Sequence, residues 1–288
     1  MAEARKEIEI KEVLSDEIVK TVTFKIKKYD PEKDSKPHYT EYQVPVYRGM
    51  TVLDGLLYVK EDVDGTINFR YSCRMGICGS CGMFINGKPR MACMTQILEL
   101  NSDVIEIAPL PNYDNIRDLV PDSTPLFEKH KKIKPYLIRE DTKEQENPIG
   151  EYYQTPEEHE YYSQFSFCIK CGLCYAACPS VASDPEYLGP QALTQAYRYS
   201  VDTRDEGFLE RVMVVDDPHG CWRCHYAGVC SEVCPKGVDP AKAIQLLKGL
   251  ILKYRLGLKK KRRGAGVIPA HPRPNIKKAP KRTVPQES

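Results

Sequence analysis

The sequence has no stretch approaching the ~18–20 continuous apolar residues that a membrane-spanning helix needs. Its most apolar window, Ile244 to Leu252, is short and is interrupted by Gln245 and Lys248. The first residues, Met-Ala-Glu-Ala-Arg-Lys-Glu, are charged and lack the apolar centre of a secretory signal. These absences predict a chain that is soluble by itself and stays on the cytoplasmic side unless something else carries it out. Tryptophan occurs once, at Trp222, and no aromatic residue follows Tyr254. That last absence argues against nucleic-acid binding by the carboxy-terminal segment, which would need rings for bases to stack on.

Cysteine, by contrast, is abundant, with twelve among 288 residues. In a small secreted domain they would read as a disulfide frame. Here the chain is long, no signal precedes it, and the cysteines cluster at short spacings, so metal ligation in a reducing compartment is the better reading. The net charge of +2 is unevenly spread: residues 241–288 hold fourteen Lys and Arg against the single acid Glu287, which leaves 28 basic against 39 acidic residues before them, a net of −11. An acidic body with a basic tail suggests a partner or a membrane surface at the tail end.

Local patterns divide the chain in two. Val22, Phe24 and Ile26 alternate with polar residues over Thr21 to Lys27, and Tyr42, Val44 and Val46 repeat the alternation. These predict two strands joined through the polar turn Asp30 to Lys36, with Pro45 placing the second at an edge or a bulge. Thr51 to Val63 predicts a helix capped by Thr51 with Asp54 three residues on, and Val104 to Leu110 predicts a closing strand. Pro109, Pro111, Pro121 and Pro125 mark a connector. Beyond it the pattern is helical. Thr155-Pro156-Glu157-Glu158 combines a cap, a first-turn proline and a capping-box glutamate. Pro190 opens a second helix through Tyr199. Asp239-Pro240 opens a third that Gly257 stops, with Ile244, Leu247, Ile251 and Tyr254 as its apolar stripe. Gly264 to Ser288, rich in Pro, Lys and Arg, predicts a segment that is disordered or draped over a partner. The divisions expected are therefore 1–110, a connector 111–154, a helical unit 155–257 and a basic tail 258–288.

The cysteines fall into ligand runs. Cys73, Cys78 and Cys81 have the spacing C-x4-C-x2-C, and Cys93 follows after eleven residues. The first three match the start of the plant-type 2Fe–2S run. Gly76, Gly79 and Gly82 between them suit a backbone that wraps closely around a cluster and aims its amides at sulfur. A structural zinc site is the alternative for four cysteines. The fourth cysteine comes sooner than in plant-type ferredoxins.

Cys168, Cys171, Cys174 and Cys178-Pro179 form a full C-x2-C-x2-C-x3-C-P run. In two-cluster ferredoxins the fourth cysteine of each run ligates the other cluster. Cys224, Cys230 and Cys234-Pro235 repeat the run with its second cysteine missing, the vacant position being Ala227. Cys168, Cys171, Cys174 and Cys234 then complete a 4Fe–4S site. Cys178, Cys224 and Cys230 are left as three thiolates without a fourth, which predicts 3Fe–4S. Cys221 stands apart, read either as an unusual fourth ligand or as a buried free thiol.

With these groups in place, Arg70-Tyr-Ser-Cys-Arg-Met-Gly-Ile-Cys-Gly-Ser-Cys-Gly82, the run from Cys168 to Pro179, Gly189-Pro190, Tyr197-Arg198-Tyr199 and Cys230-Ser-Glu-Val-Cys-Pro-Lys-Gly-Val-Asp-Pro240 resemble the iron–sulfur subunit of succinate dehydrogenases and fumarate reductases. Lys134-Pro135-Tyr136 and Gly172 to Cys178 are similar to the bacterial fumarate reductases in particular. The resemblance implies an α+β chain with an N-terminal β-grasp, plant-type ferredoxin-like domain and a C-terminal all-α bacterial ferredoxin-like domain. It also implies electron passage between the flavin (FAD) of a catalytic flavoprotein subunit and a membrane quinone, with membrane-anchor subunits completing a complex on the cytoplasmic face. Dicarboxylate chemistry would belong to the flavoprotein. Gln245, Lys248, His225 and Trp222 match or adjoin quinone-side positions. The bland readings beside these are a solvated helix face for the first two, a surface or capping histidine, and a core tryptophan. The same wire in a thiol-fed, heterodisulfide-reductase-like or glycolate-oxidase-like machine is the runner-up, and a structural zinc protein a third class.

Overall fold

The computed structural model describes residues 17–258 and the strand 267–269. The predicted alternation forms the first hairpin. Strand β1 (Lys20–Lys28) pairs antiparallel with β2 (His38–Val46), Val22 opposite Val44 and Phe24 opposite Tyr42. Val22, Phe24 and Ile26 are at most 1% exposed, as their period of two requires once one face is buried. Three further strands, β3 (Gly82–Ile85), β4 (Lys88–Met91) and β5 (Val104–Ala108), complete a mixed sheet in the order β2-β1-β5-β3-β4, with β1 and β5 parallel. Pro45 lies on β2, the edge strand, where its missing N–H breaks no central ladder. β5 stops at Ala108, two residues before the predicted Leu110, because Pro109 cannot donate onward.

Helix α1 (Val52–Tyr58) covers this sheet. Thr51 and Asp54 form a reciprocal capping box at its start, and Val52, Leu53, Leu56 and Leu57 are buried. A Cβ on Gly55 would lie 2.5 Å from the Phe24 ring, so the helix seats directly on β1 only because this residue is glycine. The predicted span to Val63 ends in a π-helical turn over Val59–Val63. Asp64 beyond it accepts from Lys28, Tyr42 and Thr66 and ties the turn to the sheet.

The connector is folded rather than extended. It carries a small ribbon of β6 (Asn115–Arg117) and β7 (Val120–Pro121), helices α2 (Thr124–Lys132) and α3 (Thr142–Glu146), and β8 (Gly150–Tyr152). Leu126 and Ile133 enter the second core. From there to Arg255 every regular element is a helix: α4 (Pro156–Ser166), α5 (Leu173–Ala176), α6 (Pro179–Ser183), α7 (Gly189–Val201), α8 (Phe208–Val215), α9 (Val229–Glu232) and α10 (Pro240–Arg255). Eleven of the thirteen residues of α7 are buried, which makes it the central element, touched by α2, α4, α8 and α10. Thr155 and Glu158 form the expected capping box of α4, and Asp239 caps α10.

Two expectations need correcting. Ile244, Leu247 and Ile251 are buried, but Tyr254 is 41% exposed and meets Phe208 edge-on. No core remains beneath the last turn of α10, since Leu256 and Leu258 just beyond it are exposed too. The tail is also not wholly without structure: β9 (Val267–Pro269) pairs antiparallel with β8. Lys259 to Arg263 and the rest of the tail lie outside the described residues. Among the described residues, no helix is long and apolar enough to cross a membrane.

Candidate iron–sulfur centres

All twelve cysteines lie among the described residues, and none is in a disulfide. Cys73, Cys78 and Cys81 sit on the irregular loop that leads into β3. Arg74, Gly76 and Gly79 adopt positive φ there, which turns successive amides inward. The Cys73 sulfur accepts from the amides of Cys78 at 3.2 Å, Ile77 at 3.3 Å and Met75 at 3.5 Å, while the Cys73 amide donates to the Cys78 sulfur at 3.5 Å. Those N–H groups, led by that of Met75, pull the Cys73 thiol down to about 6. Burial instead pushes Cys81 up to about 12.

The short interval before Cys93 has a structural cause. β3 turns at Asn86 and Gly87, both at positive φ, a two-residue hairpin turn. β4 then returns alongside, Met91 opposite Gly82. This brings the Cys93 amide 3.4 Å from the Cys81 sulfur. The eleven intervening residues are the two four-residue strands, the two-residue turn and Ala92.

Cys168, Cys171, Cys174 and Cys234 line one cavity with Lys170, Gln191 and Thr194. Burial raises Cys171 to about 11 and, reinforced by Cys171, Cys168, Cys230 and Cys234 nearby, holds Cys174 far above its ordinary value. Cys178, Cys224 and Cys230 line a second cavity with Ala227, Ser180, His225 and Tyr226. Burial pushes Cys230 up to about 12, with Cys178 and Cys224 adding to the effect. The proximity of Cys174 to Cys230 makes the two cavities neighbours. Cys221 is fully buried in the helical core and does not line the cavity of Cys178, Cys224 and Cys230, while Ala227 does.

The residues fit anionic thiolate-held clusters. Sulfurs converge on shared cavities, backbone N–H groups donate to sulfur in the first group, and no carboxylate lines either cavity of the helical half. An uncompensated buried thiolate is expensive, so sulfurs buried together in this way call for cations to balance them.

Around the Cys224 turn, the Lys248 ammonium donates to the Cys224 carbonyl at 2.9 Å and lies 5.9 Å from the Trp222 ring. The Gln245 amide is 4.0 Å from the Cys224 sulfur. These two side chains therefore turn to the third cysteine group rather than forming a solvated face. Trp222 is half-buried, its indole N–H donating to Asp216 at 2.7 Å. His225 is exposed at the cavity rim.

Two connector residues escaped sequence reasoning. Asn112, at φ +64°, donates to the carbonyls of Tyr175, Ala176 and Cys178 at 3.2, 2.8 and 3.2 Å, closing the end of α5. The Tyr113 hydroxyl donates to the Gly172 carbonyl at 3.1 Å, and its ring packs tilted against that of Tyr175, 5.0 Å between centroids.

A family model described as 2Fe-2S iron-sulfur cluster binding domain matches residues 23–128, and one described as 4Fe-4S dicluster domain matches residues 164–238. Two ferredoxin-like units in one chain define a multi-centre iron–sulfur electron carrier. The fumarate reductase iron-sulfur subunit of Mycobacterium tuberculosis is 47% identical over 229 residues, covering 79% of this chain and 91% of that protein. The subunits of the same description from Haemophilus influenzae and Escherichia coli are each 44% identical, covering 88% and 91% of their own lengths and 75% and 79% of this chain. A chain of the Mycobacterium smegmatis Sdh1 complex in its apo form superposes with a TM-score of 0.70 at 26% identity, over 82% of this chain and 97% of that one. The chain belongs to the family of succinate dehydrogenase and fumarate reductase iron–sulfur subunits. It is an electron-transfer subunit of an oxidoreductase, with 2Fe–2S and 4Fe–4S clusters as cofactors.

Proposed function

We propose that the chain passes electrons between the flavin of a flavoprotein catalytic subunit and a quinone at membrane-anchor subunits, on the cytoplasmic face of the membrane. Cys73, Cys78, Cys81 and Cys93 would hold 2Fe–2S; Cys168, Cys171, Cys174 and Cys234 would hold 4Fe–4S; Cys178, Cys224 and Cys230 would hold 3Fe–4S. Bound there, the clusters supply one-electron carriers. The observation that carries this reading is the convergence of eleven cysteines, from runs far apart in sequence, into three adjoining groups of four, four and three. We read the five-stranded sheet with α1 as a β-grasp domain, residues 1–110. Residues 155–257 are the all-α bacterial ferredoxin-like domain, 111–154 the connector and 258–288 the basic tail.

This chain's own backbone and side chains do the rest. Met75, Ile77 and Cys78 place N–H dipoles against Cys73 and favour charge on its sulfur. Lys248 and Gln245 set a cation and an amide beside Cys224, and with His225 and Trp222 they form the quinone side. A cation there stabilises negative charge developing on a reduced quinone oxygen. Replacing Lys248 with Met should cut quinone-linked turnover roughly 10- to 100-fold, the worth of one hydrogen bond to a charged group at about 1.5–3 kcal/mol. Electron passage to a dye that bypasses the quinone, measured beside it, should hold.

The test of the whole reading is electron paramagnetic resonance of the air-oxidised protein beside an iron count. Oxidised 3Fe–4S is paramagnetic, whereas oxidised 2Fe–2S and 4Fe–4S are silent. A signal with about nine irons and matching acid-labile sulfide is expected. A silent spectrum with about ten irons would remove the three-ligand site, and zinc without sulfide would sink the electron-transfer reading.

A further inference from the structure

The glycines of the first cysteine loop do more than let it turn. Gly79 adopts φ +77°, and a Cβ built on it would lie 3.0 Å from both the Cα and the Cβ of Cys171 and 3.2 Å from the Ile169 carbonyl oxygen. Gly82, which needs no positive φ, meets the same segment: a Cβ there would lie 3.1 Å from a Leu173 methyl and 3.5 Å from the Cys171 carbonyl oxygen. The Cys78-Gly79-Ser80-Cys81 turn thus rests on the backbone of a cysteine belonging to the second group. Gly76 differs, since its missing Cβ makes room for the Met94 thioether within its own domain.

We propose that Gly79 is a positioning residue for electron passage between the first two centres. Lacking a side chain, it lets the loop carrying Cys78 and Cys81 sit in van der Waals contact with Cys171, and Gly82 extends the same seat. The proposal rests on the ligand reading above. A methyl group at Gly79 meets the Cα and Cβ of Cys171 and the Ile169 carbonyl, none of them the free end of a flexible side chain, so the two ligand loops must part by a few tenths of an ångström. Electron tunnelling and magnetic coupling both fall steeply with separation, and both should register a displacement too small to disturb either domain.

The hairpin turn supplies a matched control. Gly87 adopts φ +75°, nearly that of Gly79, but a Cβ there meets nothing within 4 Å. Gly87→Ala therefore carries the same backbone penalty without the contact. The experiment compares the whole purified complex as wild type, Gly79→Ala, Gly82→Ala and Gly87→Ala, each checked for iron and sulfide. In the fully reduced state, the enhancement of 2Fe–2S spin relaxation by the neighbouring reduced centre is read by electron paramagnetic resonance, and the rate of electron equilibration between the two is read by rapid-freeze sampling. Gly79→Ala should retain wild-type iron yet show a measurably smaller relaxation enhancement and equilibrate up to about twofold more slowly, as a shift of a few tenths of an ångström requires. Gly87→Ala should match wild type. If Gly79→Ala cannot hold its clusters, Gly82→Ala, free of the φ penalty, decides by the same two readouts. Wild-type coupling in an iron-replete Gly79→Ala, or an equal loss in Gly87→Ala, overturns the proposal. Absence of a 2Fe–2S or 4Fe–4S signal from the wild type itself would instead overturn the ligand reading.

Discussion

Ala227 lines the cavity of Cys178, Cys224 and Cys230 where the interleaved run would carry a fourth thiolate. Its side chain offers no donor, so in the reading proposed above that group has three ligands, not four. Ala227→Cys should raise the iron content by about one per chain and abolish the signal of the oxidised protein; iron analysis beside the spectrum checks this. Arg211 acts on the fold. Its guanidinium is fully buried, paired with Asp205 at 2.6 Å and donating to the carbonyls of Ile133, Lys134 and Tyr136. One side chain so holds the end of α2 and the following turn against α8. Arg211→Ala strands the Asp205 carboxylate and should cost about 3–5 kcal/mol in denaturant unfolding. His130, also on α2, is buried against Gln191, and burial, with Lys170 a lesser cause, holds its imidazole down to about 4. The unfolded chain, with its histidine near ~6.5, takes up the proton first. The stabilisation from neutral His130 is complete above pH ~6.5 and is lost as pH falls toward 4. Unfolding midpoints of His130→Gln should lose that part of the wild-type pH dependence while keeping the rest.

At the scale of elements, the cysteine runs are held by short helices that could not stand alone. α5 is a single turn, too short to be stable as an isolated helix. It is held by Asn112 at its end, by Tyr113 at its start, and by Leu173 and Ala176, which enter the core of the sheet domain. α4 delivers the chain to Cys168, and its capping box satisfies amides that would otherwise be orphaned. Thr155→Ala should lower stability by about 1 kcal/mol in thermal or denaturant unfolding and leave the iron content unchanged, since the cap is remote from the sulfurs.

Over the whole molecule, two cores meet at the cysteine loops. Leu173 and Ala176 belong to the first core although they lie within the helical unit, and Tyr113 touches both. The helical core includes Cys178, with Cys168, Cys224 and Cys234 packed at its margin, so clusters held as proposed would complete the interior of that half. Ligand binding of this kind is folding free energy. Removing iron with a chelator should therefore lower the unfolding temperature and deplete the helical far-ultraviolet signal well before the sheet unfolds. Equal loss from both halves would show that the clusters do not complete the helical core.

The sequence by itself determined what depends on neighbours along the chain. Three cysteines and a vacancy repeat within a dozen residues, Thr51 and Thr155 each find their aspartate or glutamate three positions on, and Val22, Phe24 and Ile26 keep a period of two. Such features follow from ligand spacing and backbone period, and they hold wherever the segment is put. Tertiary structure alone decided what depends on segments far apart. The return of Cys93 came from a hairpin, the burial of Cys221 away from the vacant position from helix packing, and the exposure of Tyr254 from the end of the core beneath it. The same holds for the clamp of Asn112 and Tyr113 on a run some sixty residues later. Gly79 shows the division most sharply: its freedom to turn is a local property of glycine, whereas its need to lack a side chain is imposed by Cys171, which no local pattern places opposite it.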